Sequence, residues 1–189
     1  MRRPLRLVPA LAGAAWLAAM LAAAGPARAD GVPAAPALGL CTATETVVFD
    51  CPVPGGRRAS VCASADLSTS AGTLQYRFGR PGKLELQWLP AAAVPAAAAD
   101  WRAGVKAGHV MYAGGGGAYL RFAAPPFDYV VYSASGRGWG RKAGVMVLKD
   151  GQRAAVRRCA APAQSRMNLA FSERAGLAAD EQELELPGP

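Results

Sequence analysis

Apolar and polar residues alternate with a period of two along much of the chain, the pattern of strands that bury one face and wet the other. The clearest case is Thr73-Leu74-Gln75-Tyr76-Arg77-Phe78, a turn over Gly79 to Gly82, and then Lys83-Leu84-Glu85-Leu86-Gln87-Trp88. This predicts an antiparallel hairpin with Leu74, Tyr76, Phe78, Leu84, Leu86 and Trp88 facing inward. Gln75, Arg77, Lys83, Glu85 and Gln87 are expected to face water.

Upstream, Thr46 to Cys51 and Arg57 to Ala63 read as two strands joined by a Pro/Gly turn. Downstream, His109 to Tyr112 leads through Gly114 to Gly117 into Ala118 to Phe122. Phe127 to Tyr132 delivers Ser133-Ala134-Ser135-Gly136-Arg137-Gly138-Trp139, and Gly144 to Leu148 and Ala154 to Cys159 flank Asp150-Gly151, a two-residue hairpin signal. The pattern predicts an all-β fold, a small antiparallel β-sandwich or barrel of about eight strands. Asn168 to Leu177 suggests one short C-terminal helix; the Ala/Pro segment Pro90 to Ala99 reads as a surface linker, with a short helix around Ala96 to Lys106 open as the alternative.

Both ends read differently from the middle. Arg2, Arg3 and Arg6 precede an almost wholly apolar run from Leu7 to Ala24, and Ala27-Arg28-Ala29 places small residues where a signal peptidase reads. Residues 1–29 are therefore expected to be a signal peptide, and the protein to be periplasmic or secreted. Gly25-Pro26 argues against a retained membrane-spanning helix, and no transmembrane segment is expected after cleavage. Residues 30–43 form a Pro/Ala-rich flexible lead-in, 44–160 the antiparallel β domain, and 161–189 an extension with an acidic tail.

Loss of the leader removes Arg2, Arg3, Arg6 and Arg28, lowering the formal net charge from +8 to +4. The remaining cations are scattered and no nucleic-acid-binding motif accompanies them, so no nucleic-acid partner is expected. The acids cluster late, at Glu173, Asp180, Glu181, Glu183 and Glu185, which leaves the middle of the chain more basic than the total. A basic face toward anionic envelope polymers is one consequence.

Cys41, Cys51, Cys62 and Cys159 make an even set in a chain bound for an oxidising compartment, so two disulfides are expected. Three pairings are possible and sequence does not choose among them. The preferred one joins Cys51 to Cys159 and Cys41 to Cys62, because the first bond would tie the first strand to the last. A zinc site is disfavoured by the cysteine spacing and by His109 being the only histidine; no metal and no cofactor is expected.

Catalysis has little to build on. His109 has no nucleophile-elbow serine to serve, and the paired carboxylates lie in the tail, so the chain is expected not to be an enzyme. The run Gly114 to Gly117 lacks the Lys-Ser/Thr and helix of a phosphate-binding loop, and reads as a bulged or flexible hairpin connection. Function is expected to be binding, to a protein partner or an envelope glycan.

Phe49-Asp50-Cys51 before a Gly turn and an alternating strand, Ser133-Ala134-Ser135-Gly136 with an aromatic three residues on, and a late Cys159 together resemble the exported lysozyme inhibitors of bacteria. The resemblance implies a small antiparallel β-barrel or sandwich whose Ser-Gly loop enters the lysozyme cleft. It would make Ser135, Gly136 and Trp139 the inserted loop, with Trp139 where that family usually has Tyr, and Cys51–Cys159 a shared disulfide; Ser133 and Arg137 beside them complete the candidate partner-binding residues. A second resemblance covers more of the chain: Val61-Cys62-Ala63-Ser64 with Leu74 to Gly79 is similar to a group of uncharacterised exported bacterial proteins, which implies no activity.

Overall fold

A computed structural model describes residues 39–88, 101–182 and 184–187. The leader, most of the lead-in and the Pro/Ala segment 90–99 lie outside the described residues. Among the described residues eleven strands form two sheets, with one short α-helix, giving the all-β sandwich that the alternation predicts. No helix among the described residues is long and apolar enough to cross a membrane.

The first sheet contains β1 (Glu45–Val53), β2 (Arg57–Ser64), β3 (Leu74–Arg80), β4 (Lys83–Gln87) and β10 (Gln164–Ser165), in the order β10-β1-β2-β3-β4. The second contains β5 (Val105–Tyr112), β6 (Gly115–Ala124), β7 (Phe127–Gly136), β8 (Gly140–Lys149), β9 (Gln152–Arg158) and β11 (Ala178–Ala179), in the order β11-β5-β6-β7-β8-β9. Consecutive strands pair antiparallel within each sheet, so most contacts follow from local hairpins. Only β10 and β11 join from a distance, and β11 pairs parallel with β5.

The inward rows of both sheets make the main core, including Phe49, Val61, Leu74, Tyr76, Val105, Leu120, Phe122, Val131 and Val145. Tyr76 lies 5.7 Å from Phe122 and 5.5 Å from Tyr129, and Trp88 meets Phe122 edge-on at 5.2 Å. Buried indoles need partners for their N–H groups: Trp88 donates to the Ala123 carbonyl at 2.7 Å and Trp101 to that of Gly72 at 3.0 Å. Disulfides join Cys41 to Cys62 and Cys51 to Cys159, the latter tying β1 to the end of β9 across the two sheets.

Several expectations are corrected. Gln75 and Arg77 are buried, because Arg77 donates to Glu45 at 2.6 and 2.8 Å, to the Leu40 carbonyl and to Gln75. An irregularity between Phe78 and Gly79 shifts the β3–β4 register, so that Leu84 stands opposite Gly79 and faces solvent. The glycine run is no bulge: β5 and β6 pair in continuous register around a turn at Ala113-Gly114, with Gly114 at φ 68°. In the open stretch Ala96 to Lys106 the described residues form a 3-10 turn, Trp101–Gly104, and then enter β5.

After residue 160, Gln164–Ser165 and Ala178–Ala179 pair into the two sheets. Helix α1 (Leu169–Arg174) starts where the Asn168 side chain accepts from the Phe171 amide at 2.8 Å, and Met167, Phe171 and Ala175 enter the main core. Beyond β11 the chain leaves the ladder and crosses the outer face of the second sheet from β5 to β9. That face is itself apolar: Tyr119, Val130, Tyr132, Ala134, Met146 and Leu148 form a second core, sealed by Leu186 and flanked by Leu184. The acidic tail is thus a strap over a sheet face that would otherwise be wet.

Candidate functional site

The β7–β8 hairpin carries all five predicted binding residues and divides them. Successive side chains on a strand point to opposite faces. Ser133 and Ser135 share the face of Val131 and Val145, toward the other sheet, while Ala134 and Gly136 share the outer face with Tyr132. The turn is short, Arg137-Gly138-Trp139, with Gly138 at φ 84° and Gly140 at φ 68°. Arg137 is exposed at its tip.

Trp139 does not extend outward. Its ring lies on the Cα of Gly136, where an added Cβ would meet the indole at 2.5 Å, and it meets Tyr112 edge-on at 5.4 Å. The predicted loop therefore separates into a hydroxyl pair on one face, a cation at the tip and a half-buried indole on the other face. No single surface presents all five residues.

Ser133 and Ser135 open into a cleft of about 690 Å³ between the inner end of the second sheet and the segment Cys159 to Met167. Arg141, Lys142, Arg158 and Ser165 line it as well. Ser135 stands directly opposite Arg141 in the β7–β8 register. Neither Ser133 nor Ser135 spends its hydroxyl on a hydrogen bond among the described residues, and Arg141 has no ion-pair partner there; Lys142, opposite Ala134, and Arg158, opposite Gly144 and beside the Tyr132 phenol, take the outer face. The lining includes no carboxylate. Cations without partners in a concave, partly dehydrated site attract anions more strongly than the same charges spread on a flat surface.

Sequence reasoning picked out the serines but missed Arg141 as their neighbour. The signal was present, since residues 137–166 contain eight Arg or Lys and one acid, Asp150. His109 is exposed on β5, and no carboxylate or hydroxyl bonds to it among the described residues. Two buried ion-pair systems elsewhere hold the first sheet: Arg58 with Asp50 and Ser60, and Arg77 with Glu45. No family model matches the chain, and no curated protein or solved structure matches it.

Proposed function

We propose that the chain is an exported, non-enzymatic binding protein of the cell envelope and that its partner is an anionic envelope glycan. The observation that carries this reading is the cleft in which Arg141, directly opposite Ser135, meets the free hydroxyls of Ser133 and Ser135 with no carboxylate in the lining. A carboxylate or phosphate group of a polymer would pair with the Arg141 guanidinium, and the serine hydroxyls would donate to the remaining lone pairs. Equilibrium binding of the protein purified after export to polygalacturonate tests the reading. Polygalacturonate should bind and weaken as salt rises. Arg141→Glu should cost about tenfold or more, whereas the equal charge change Lys149→Glu, at the far end of β8, should cost little. Equal losses in the two variants would remove the cleft as the site.

The exposed Arg137-Gly138 tip beside Trp139 favours a second reading, a periplasmic lysozyme inhibitor, because a lysozyme cleft is lined by acid groups. Residual activity of chicken-type, invertebrate-type and goose-type lysozymes tests it, with Ser135→Ala/Trp139→Ala as the comparison. Inhibition lost in the double variant supports it, and no inhibition at micromolar protein removes it for those classes.

A further inference from the structure

A second concavity lies on the opposite side of the second sheet and has the opposite chemistry. It is a groove of about 700 Å³ between β5 and the strap, with Gly108, Tyr112 and Tyr119 on the sheet side and Glu181, Gln182 and Glu185 on the strap side. The volume suits a sugar-sized ligand.

The groove has firm walls. Asp180 anchors the strap at its start through a bidentate pair with Arg121, at 2.6 and 2.8 Å, and its amide donates to the Ala107 carbonyl at 2.8 Å. Tyr119 lies flat on Gly108, where a side chain would collide with its ring, and donates to the Gln182 carbonyl at 3.2 Å. Burial, then the Asp180 charge, pushes the Tyr119 phenol up to about 12. Further along, Arg153 donates to the Glu185 carbonyl at 3.1 Å, and Leu186 is buried in the second core.

The groups left free face a space between these walls. Tyr112 is half-buried with its ring steadied by the edge of Trp139. Burial and the charge of Glu185 both raise its pKa, which places that carboxylate near the phenol. The side chains of Glu181, Gln182 and Glu185 have no ion-pair or hydrogen-bond partner among the described residues. An aromatic face opposite several oxygen acceptors fits a ring that is apolar on its C–H face and hydroxylated at its edge. The two unpaired carboxylates repel an acidic sugar.

We infer that this groove binds a neutral pyranose ring, stacked on Tyr112 and hydrogen-bonded through its hydroxyls to Glu181, Gln182 and Glu185. The site is independent of the cationic cleft and prefers an uncharged ligand. Titration calorimetry with cellotetraose as the neutral probe and tetragalacturonate as the acidic one tests it on the exported protein. Cellotetraose should bind the wild type, Tyr112→Ala should weaken it about tenfold, and Tyr112→Phe, which keeps the ring, should stay within about threefold. Gln182→Ala, at an exposed strap position, should weaken it without loss of fold. Arg141→Glu should leave cellotetraose binding intact while reducing that of tetragalacturonate, so the two sites fail separately. No heat with millimolar cellotetraose, or unchanged affinity in both Tyr112→Ala and Gln182→Ala, would overturn the inference.

Discussion

Arg121 on β6 grips Asp180, 59 residues later, through two hydrogen bonds of 2.6 and 2.8 Å, while Asp128 on β7 stands 3.5 Å from the same guanidinium. Asp180 has a side chain with no solvent exposure, and that of Arg121 is 16% exposed. Removing one member of such a pair leaves a charge with too little compensation. Asp180→Ala is expected to cost about 2–3 kcal/mol, less than the loss for a fully isolated pair because Asp128 remains. Urea unfolding measures the cost. Hydrogen exchange over residues 181–187 should quicken far more than exchange in β7, because the strap is held by these side-chain contacts and not by a ladder.

The Arg77–Glu45 pair gives the fold an acid limit. Burial pushes the Glu45 carboxyl up, but hydrogen bonds from Arg77 and the Thr42 amide, with the charge of Arg77, hold it below its ordinary value of 4.5. A carboxyl depressed in the folded state contributes stability above its unfolded pKa and loses it as pH falls through the folded one. Stability should therefore be flat from neutral pH down to about 4.5 for this group and decline below it. Glu45→Gln should lower the plateau by about 1–3 kcal/mol and make the acid decline shallower, in chemical unfolding curves from pH 7 to pH 3.

The hairpins were legible because their information is local. The alternation from Leu74 to Trp88 and the Asp150-Gly151 turn need no distant partner, and both residues of that turn have the positive φ it requires, 50° and 76°. The burial of Arg77 was not legible, since its partner Glu45 lies 32 residues away on β1 and an alternating strand reads the same whether its polar face is wet or paired. The same holds for Asp180, whose acid-rich surroundings read as solvated tail until Arg121 is seen beneath it. In the candidate site the sequence picked out Ser133 and Ser135 but assigned them to one loop with Trp139. The turn at Gly138 folds Trp139 back onto Gly136, on the other side, and the cleft's cation, Arg141, comes from β8.

The two disulfides should differ in what they contribute. Cys51–Cys159 spans 108 positions and Cys41–Cys62 spans 21. In the chain-entropy model those closures are worth about 5 and about 3 kcal/mol. Cys51→Ser/Cys159→Ser should therefore lose more stability than Cys41→Ser/Cys62→Ser, by about 1–2 kcal/mol in urea midpoint analysis. Equal losses would mean that the first bond's loop is already restricted in the unfolded chain.

Gly136→Ala tests how the hairpin end is built. An added methyl at residue 136 would meet the Trp139 indole at 2.5 Å, so the ring must leave the strand surface and its edge contact with Tyr112. Overpacking of this kind costs about 1–3 kcal/mol. The indole would move from a half-buried place into water, so its emission should shift to the red. The shift can be assigned by repeating the measurement in a Trp139→Phe background, where it should vanish. Ser133 and Ser135 point to the opposite face and should keep their places, leaving anionic-polymer binding at the cleft unchanged. Neutral-sugar binding at the groove should weaken, because Tyr112 loses the edge that steadies it. A parallel loss at both sites would show that the hairpin moves as one body and that the two faces are not independent.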